Sequence, residues 1–337
     1  MKQLYLSLAC LFVVLSMGAC DAFRTLSSTG SKTSLGSPYE MILVCPQQAW
    51  EGAVGDTLRA LFKAPVPYVN QDEPLFDVMR VLPRGFTKMV TEHRNILKVE
   101  MDPALTAEQT MASVEYDVRS TPQIVVTLKG ANEREVLRYL AAHGSDLVYV
   151  FEKAERDRFI ANAMKFNEKH IGEVLRTNFG IEMTVPKGYV LAKQSKDFVW
   201  CRFEYPQAGQ GFCIYTYPYE GKQSLTEQSL LAARNKFMER IPGPSDGSYM
   251  TTSEAFTPDV RAFRLEGRAW IEMRGFWDVA GDFMGGPFVS YTTIDTVTNR
   301  VITLDGYVFS PKIEKRNFLR SVEHLLYTLR FPAEVTK

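Results

Sequence analysis

The chain has 337 residues, 45% of them apolar and 23% charged, with 39 Lys plus Arg against 39 Asp plus Glu. There is enough apolar chain for a sizeable core, and the length fits two domains better than one. The even charge excludes a bulk electrostatic pull toward nucleic acid or anionic lipid, so no nucleic-acid partner is expected.

Lys2 gives a basic start, Leu4 to Leu15 is an apolar run, and Met17, Gly18 and Ala19 lead through compact side chains to Cys20. The run is shorter than the roughly 20 apolar residues a membrane span needs, and its flanks are those of a secretory signal peptide. It resembles a bacterial lipoprotein signal, in which residues 1–19 are removed and the cysteine is lipidated. The resemblance implies a cell-envelope protein anchored to a membrane through Cys20, with the periplasmic face favoured and the choice of outer or inner membrane open. Residues 20–37, rich in Ser, Thr and Gly, read as a flexible tether.

An N-terminal α/β domain is expected over 38–144. Tyr39 to Cys45 is a strand-like run stopped by Pro46, and Trp50 to Phe62 sets apolar residues at helical spacing. Leu75 to Leu82, Ile96 to Met101 and Gln123 to Leu128 are further strands, and Asn132 to Ala142 is a helix. A mainly helical connector is expected over 145–180, although Leu147 to Phe151 also suits a strand.

From residue 181 the pattern becomes that of sheet, and a second α+β domain is expected over 181–332. Its strands are Ile181 to Val185, Tyr189 to Lys193, Phe198 to Tyr205, Phe212 to Tyr217, Val260 to Leu265, Ala269 to Val279, Phe288 to Thr296 and Arg300 to Phe309. Ser224 and Glu227 form a capping box for a helix from Leu225 to Arg240, and a closing helix runs from Ile313 to Leu329. The fold class is therefore α+β: two α/β sandwich domains, the second a mostly antiparallel sheet with flanking helices.

Two patterns extend this by resemblance. Val185-Pro186-Lys187-Gly188-Tyr189 and Leu325 to Phe331 resemble the opening and closing motifs of the Mog1/PsbP-like fold. Gln71 to Asp77, Arg274 to Trp277, Met284 to Phe288 and Asp305 to Phe309 resemble a family of predicted lipoproteins of Bacteroidetes-type bacteria, a domain of unknown function. That second resemblance implies an envelope location and carries no activity.

Cys201 and Cys213 lie on two successive strand-like runs with an even separation. A hairpin turn centred on Gln207 would set them opposite each other, whereas a turn one residue later takes them out of reach, so a disulfide and buried thiols both stay open.

Chemistry-bearing motifs are sparse. Gly243-Pro244-Ser245-Asp246-Gly247 matches G-x-S-x-G, but it lies between prolines after a helix and reads as a loop. The four histidines, His93, His143, His170 and His324, are scattered and read as solvated helix-surface residues. No metal site, cofactor or catalytic constellation is expected, and the protein is read as a non-enzyme that binds an envelope protein or glycan. The candidate partner or ligand loop comprises Arg274, Trp277, Asp282, Met284, Gly285, Gly286 and Pro287, with Trp277 placed on the face where Gly275 leaves room. Gln71, Glu73 and Asp77 form a second patch, read chiefly as a solvated turn. Two alternatives are an envelope hydrolase using the carboxylates of Glu73, Asp77, Asp278 or Asp282, and an aromatic platform of Tyr215, Tyr217, Tyr219, Trp270 and Trp277 for a glycan or peptide.

Overall fold

The computed structural model describes residues 32–332. The signal segment, Cys20 and the tether as far as residue 31 lie outside the described residues. Two compact units make up the rest, one of residues 32–55 with 78–142 and one of 56–77 with 143–332.

In the first unit β1 (Lys32–Thr33) and β2 (Glu40–Val44) precede the short helix α1 (Gln47–Glu51), which begins after Pro46. Helix α2 (Ala53–Phe62) comes next and runs on into the second unit. The strands β3 (Asp77–Val81), β4 (Asn95–Met101), β5 (Met111–Tyr116), β6 (Ser120–Thr121) and β7 (Ile124–Gly130) follow. A five-stranded sheet has the order β3-β2-β4-β7-β5, with β2, β4 and β7 parallel and β5 antiparallel to β7. β1 pairs with β6 in a separate parallel ribbon. The middle strands are apolar on both faces, Met41 and Leu43 alternating with Ile42 and Val44 and all four buried, as a parallel sheet covered on both sides demands.

Sequence reading separated Asn132 to Ala142 from a later helical connector. They are one helix, α3 (Glu133–Lys165), which passes Gly144 and Leu147 to Phe151 without a break, followed by α4 (Lys169–Phe179). The expected connector and residues 56–77 both belong to the second unit. Their packing gives the reason. Phe62, Phe76 and Phe151 meet edge to face, with centroids 5.9 to 6.2 Å apart, and Ile171, Leu175 and Phe179 enter the core of the large sheet.

That sheet is built from β8 (Val190–Gln194), β9 (Phe198–Glu204), β10 (Gly209–Pro218), β11 (Tyr249–Thr252), β12 (Asp259–Leu265), β13 (Arg268–Ala280), β14 (Gly285–Asp295) and β15 (Arg300–Phe309). All pairings are antiparallel, in the order β11-β13-β14-β15-β10-β9-β8, and β12 shares the outer side of β13 with β11. Helix α5 (Glu227–Met238) covers one face through Leu230, Phe237 and Met238. Helices α4 and α6 (Arg316–Leu326) cover the other through Leu175, Phe179, Leu319, Val322 and Leu325. The fold is thus α+β, with a mostly antiparallel sheet between flanking helices.

Three local expectations are corrected. Ile181 to Val185 alternates buried and open positions like a strand, but only Glu182 pairs, with Arg330, so no ladder forms. The cap of α5 is Thr226, whose Oγ1 accepts the Ser229 N–H at 3.2 Å, because the helix begins two residues later than a Ser224 cap requires. His93 and His324 are buried and only His143 and His170 are exposed, since the first pair sits where chain packs against chain.

Candidate functional site

The cysteines show how register decides chemistry. Tyr205 N–H bonds to Ala208 O, so the β9–β10 turn is centred between Pro206 and Gln207. Cys201 then faces Phe212 and Cys213 faces Trp200. Opposed residues share a face and neighbours alternate, so the two thiols lie on opposite sides of the sheet, free and buried. The candidate disulfide is excluded.

The second patch is a clamp rather than a solvated turn. Glu73, 3% exposed, accepts the backbone N–H of Lys315 at 2.8 and 2.9 Å and that of Arg316 at 2.6 Å, capping α6. Arg316 forks onto Asp77 at 2.6 and 3.2 Å, and Lys315 Nζ reaches Gln71 Oε1 at 3.1 Å. The four carboxylates named for hydrolysis sit in two places: Glu73 and Asp77 here, Asp278 and Asp282 at the β13–β14 hairpin. Asp282 accepts Ser245 Oγ–H at 2.5 Å, and this bond holds its carboxyl below the usual range. Ser245 lies in a loop between α5 and β11, away from any strand-to-helix elbow.

Arg274 points to the α4/α6 side and is buried. It bonds to Glu323 Oε1, to Glu272 Oε2 at 2.9 Å and to the Tyr291 hydroxyl at 3.4 Å. Arg320 joins the same Glu323 at 3.0 Å and Glu152 at 2.6 Å. Arg274 is therefore part of a buried ion network and leaves the candidate loop.

The rest of the loop builds a cleft on the α5 side. Gly285 and Gly286 are not a loop tip. They begin β14, paired with Asp278 and Trp277. Trp277, 1% exposed, lies over Gly286 and donates its indole N–H to Val308 O at 3.1 Å. A Cβ on Gly286 would collide with that carbonyl. The room foreseen beside Gly275 is filled instead by the Phe288 ring, 2.9 Å from where a Cβ would stand. Two strands on, the Tyr307 ring crosses its partner Gly211, which a Cβ would again obstruct, so that the phenol reaches β9 and accepts the Trp200 indole N–H at 2.8 Å. Trp277 and Tyr307 stand edge to face, 5.7 Å between centroids.

These rings, with Phe309, Met250 and Met284, line a cleft of about 320 Å³. Ile241, Pro242 and Pro244 form part of its wall, and Arg202 and Glu204, 3.5 Å apart and exposed, mark its charged rim. Met284 folds inward onto the core, while Phe283 at the hairpin tip is fully exposed. Pro287 pairs with Phe276 inside the sheet. The exposed aromatic platform is not found: Tyr215, Trp270 and Trp277 are buried and Tyr217 and Tyr219 only partly open. Sequence reading found Trp277 and Met284 but missed Trp200 and Tyr307, whose signal was a strand Tyr paired with a strand Gly.

Among the described residues no group of His, Cys, Asp and Glu could hold a metal ion, and no helix is long and apolar enough to cross a membrane. No curated protein matches the chain. Among solved structures, the Saccharomyces cerevisiae Ran-binding protein Mog1p is similar at 7% identity and a TM-score of 0.31, covering 45% of this chain and 92% of that one. A point mutant of the protein Mog1 is similar at 8% identity and a TM-score of 0.29, covering 45% of this chain and 90% of that one. Residues 34–164 match a domain of unknown function (DUF8532) and residues 168–328 match another (DUF4837), so the chain carries, in order, stretches similar to two domains of unknown function.

Proposed function

We propose that the protein is a lipid-anchored, non-catalytic binding protein of the cell envelope, held by Cys20 and engaging an envelope partner through the cleft of its second unit. The observation that carries this is the cleft itself: two Trp, one Tyr, one Phe and two Met side chains converge on one concavity with a charged pair at its rim. Pockets of this size and lining bind apolar groups, and a few polar atoms set their orientation. Among the described residues Glu73 caps a helix, Asp77 pairs with Arg316 and Asp282 holds Ser245, while Asp278 lies apart from Glu73 and Asp77 on β13.

A photo-crosslinking residue placed at Phe283, beside the cleft wall, tests the proposal in cells. Capture of a defined envelope partner, abolished by Met284→Glu, which puts a charge into the apolar wall, is the expected result. Capture that is unaffected by Met284→Glu, or no capture, overturns the cleft as the binding site. Release of the Cys20→Ala protein from the membrane fraction is expected if the lipid is its anchor, and retention would overturn that part.

A further inference from the structure

We propose that the rings of Tyr68, Phe256 and Phe276, with the carboxylate of Asp259, form a second binding site in the second unit, one that takes an arginine side chain of a partner protein. Phe276 alternates with Trp277 along β13, so this site lies on the side of the sheet away from the cleft and stands apart from the cleft's role.

The rings come together where the outer edge of β13 changes partners. Ser253 N–H, just past β11, bonds to Phe276 O at 2.8 Å; residues 254–258 then leave the edge, and β12 rejoins it with Asp259 opposite Arg274. Phe256, in that detour, is 56% exposed, yet its ring centroid stands 4.9 Å from that of Phe276. Tyr68, held at φ 58° in a left-handed conformation that bulky residues rarely adopt, brings its ring to 6.3 Å from the same Phe276. Tilts of 55° and 50° keep the rings from stacking face on face, so aromatic surface stays open to a ligand.

Asp259 supplies the charge. It shares a face with Arg274, and therefore with Phe276 two residues on, a diagonal neighbour about 7–8 Å away. Its charge also reaches Tyr68, whose phenol is raised by burial and then by Asp259. Asp259 is exposed and, among the described residues, makes no hydrogen bond or ion pair. The arginines that could neutralise it are taken: Arg274 by Glu323 and Glu272, Arg261 by Glu272. Glu254 adds a second exposed carboxylate in the detour.

Open ring faces beside an unneutralised carboxylate select a cation. The protein's own core shows which kind. Arg234 forks onto Asp305 at 2.8 and 3.3 Å while its guanidinium lies 3.5 Å from the Phe288 centroid. A planar guanidinium serves both groups at once, donating in its plane and stacking through its face, which a compact ammonium cannot do. Asp259 with Phe256 and Phe276 repeats that acid-and-ring pairing at the surface, where the guanidinium must come from another chain.

Surface plasmon resonance on the full-length protein, held in micelles of an uncharged detergent at physiological ionic strength, tests the proposal with blocked triarginine, blocked tricitrulline and phosphocholine. Saturable binding of triarginine is expected, with the uncharged tricitrulline at least about tenfold weaker. Phe256→Ala and Asp259→Asn should each weaken triarginine about fivefold, and because both side chains are exposed, thermal unfolding should stay unchanged. Met284→Glu should leave triarginine binding as it is, which separates this site from the cleft. No saturable binding of triarginine, equal binding of tricitrulline, or binding that survives both substitutions overturns the proposal. Binding of phosphocholine without triarginine would make the rings a lipid-headgroup site and overturn the assignment to a partner protein.

Discussion

Glu73 caps the helix that Arg316 begins: its carboxylate oxygens receive the N–H groups of Lys315 and Arg316 across 242 and 243 residues of sequence. The first turn of α6 carries no acidic residue and Lys315 makes no side-chain cap, so the helix depends on a distant carboxylate to satisfy its N-terminal donors.

Glu73→Ala should therefore destabilise the second unit by about 2–3 kcal/mol, combining a lost cap with buried donors left bare. Glu73→Gln, which keeps an acceptor, should cost about half as much. Urea unfolding followed by circular dichroism measures both. Equal and negligible effects would show that the clamp is incidental.

Trp277→Ala should cost about 3–5 kcal/mol, as for other buried aromatic truncations. Gly286→Ala should also destabilise, by about 1–3 kcal/mol, because the added methyl forces apart the indole and the Val308 carbonyl. Gly285→Val should be no more innocent, since a Cβ there would stand 2.7 Å from Trp277 O. Thermal unfolding of the three variants checks the set.

Acidification should destabilise the second unit over two overlapping pH windows. Burial pushes the His324 imidazole down to about 3, with Glu323 pulling the other way. Burial opposes the charge of Glu323, but Arg274 and Arg320 hold its carboxyl at about 2. Both folded values lie below the ordinary 6.5 and 4.5, so the unfolded chain binds more protons and stability falls with pH: from about 6.5 to 3 through His324, and from about 4.5 to 2 through Glu323. His324→Leu should flatten the stability profile between pH 6.5 and 4.5 and leave the lower limb. An unchanged slope in that window would refute the assignment.

Cys45, Cys201 and Cys213 should all resist Ellman's reagent in the folded protein and react together in urea. Burial holds the Cys201 thiol at about 12 and that of Cys45 at about 11. A Cys201–Cys213 bridge on a non-reducing digest would contradict the β9–β10 register.

Much of the fold was legible because apolar alternation survives in the strands themselves. Arg300 to Phe309 coincides with β15, and the two-domain α+β class follows from the order of such runs. What escaped were features fixed by partners. Met111 to Tyr116 is an edge strand exposed along most of its length, so it shows no buried period. Tyr249 to Thr252 is too short to declare itself. The turn at Pro206-Gln207 differs by half a residue from the one considered, which is enough to send Cys213 to the other face. Within the cleft, Trp277 announced itself beside glycines, but the glycine that matters is across the ladder at Gly286, a relation only the β13–β14 register reveals.

The outer strand β8 pairs with β9 alone, and its register slips between Leu191 and Lys193. An extra residue there twists the free backbone edge and interrupts its row of hydrogen-bonding groups, and Lys193 adds a charge on the same strand. Neighbouring copies crowded side by side would therefore meet an edge that offers no continuous template for another strand, so high local density should not zip them into a shared sheet.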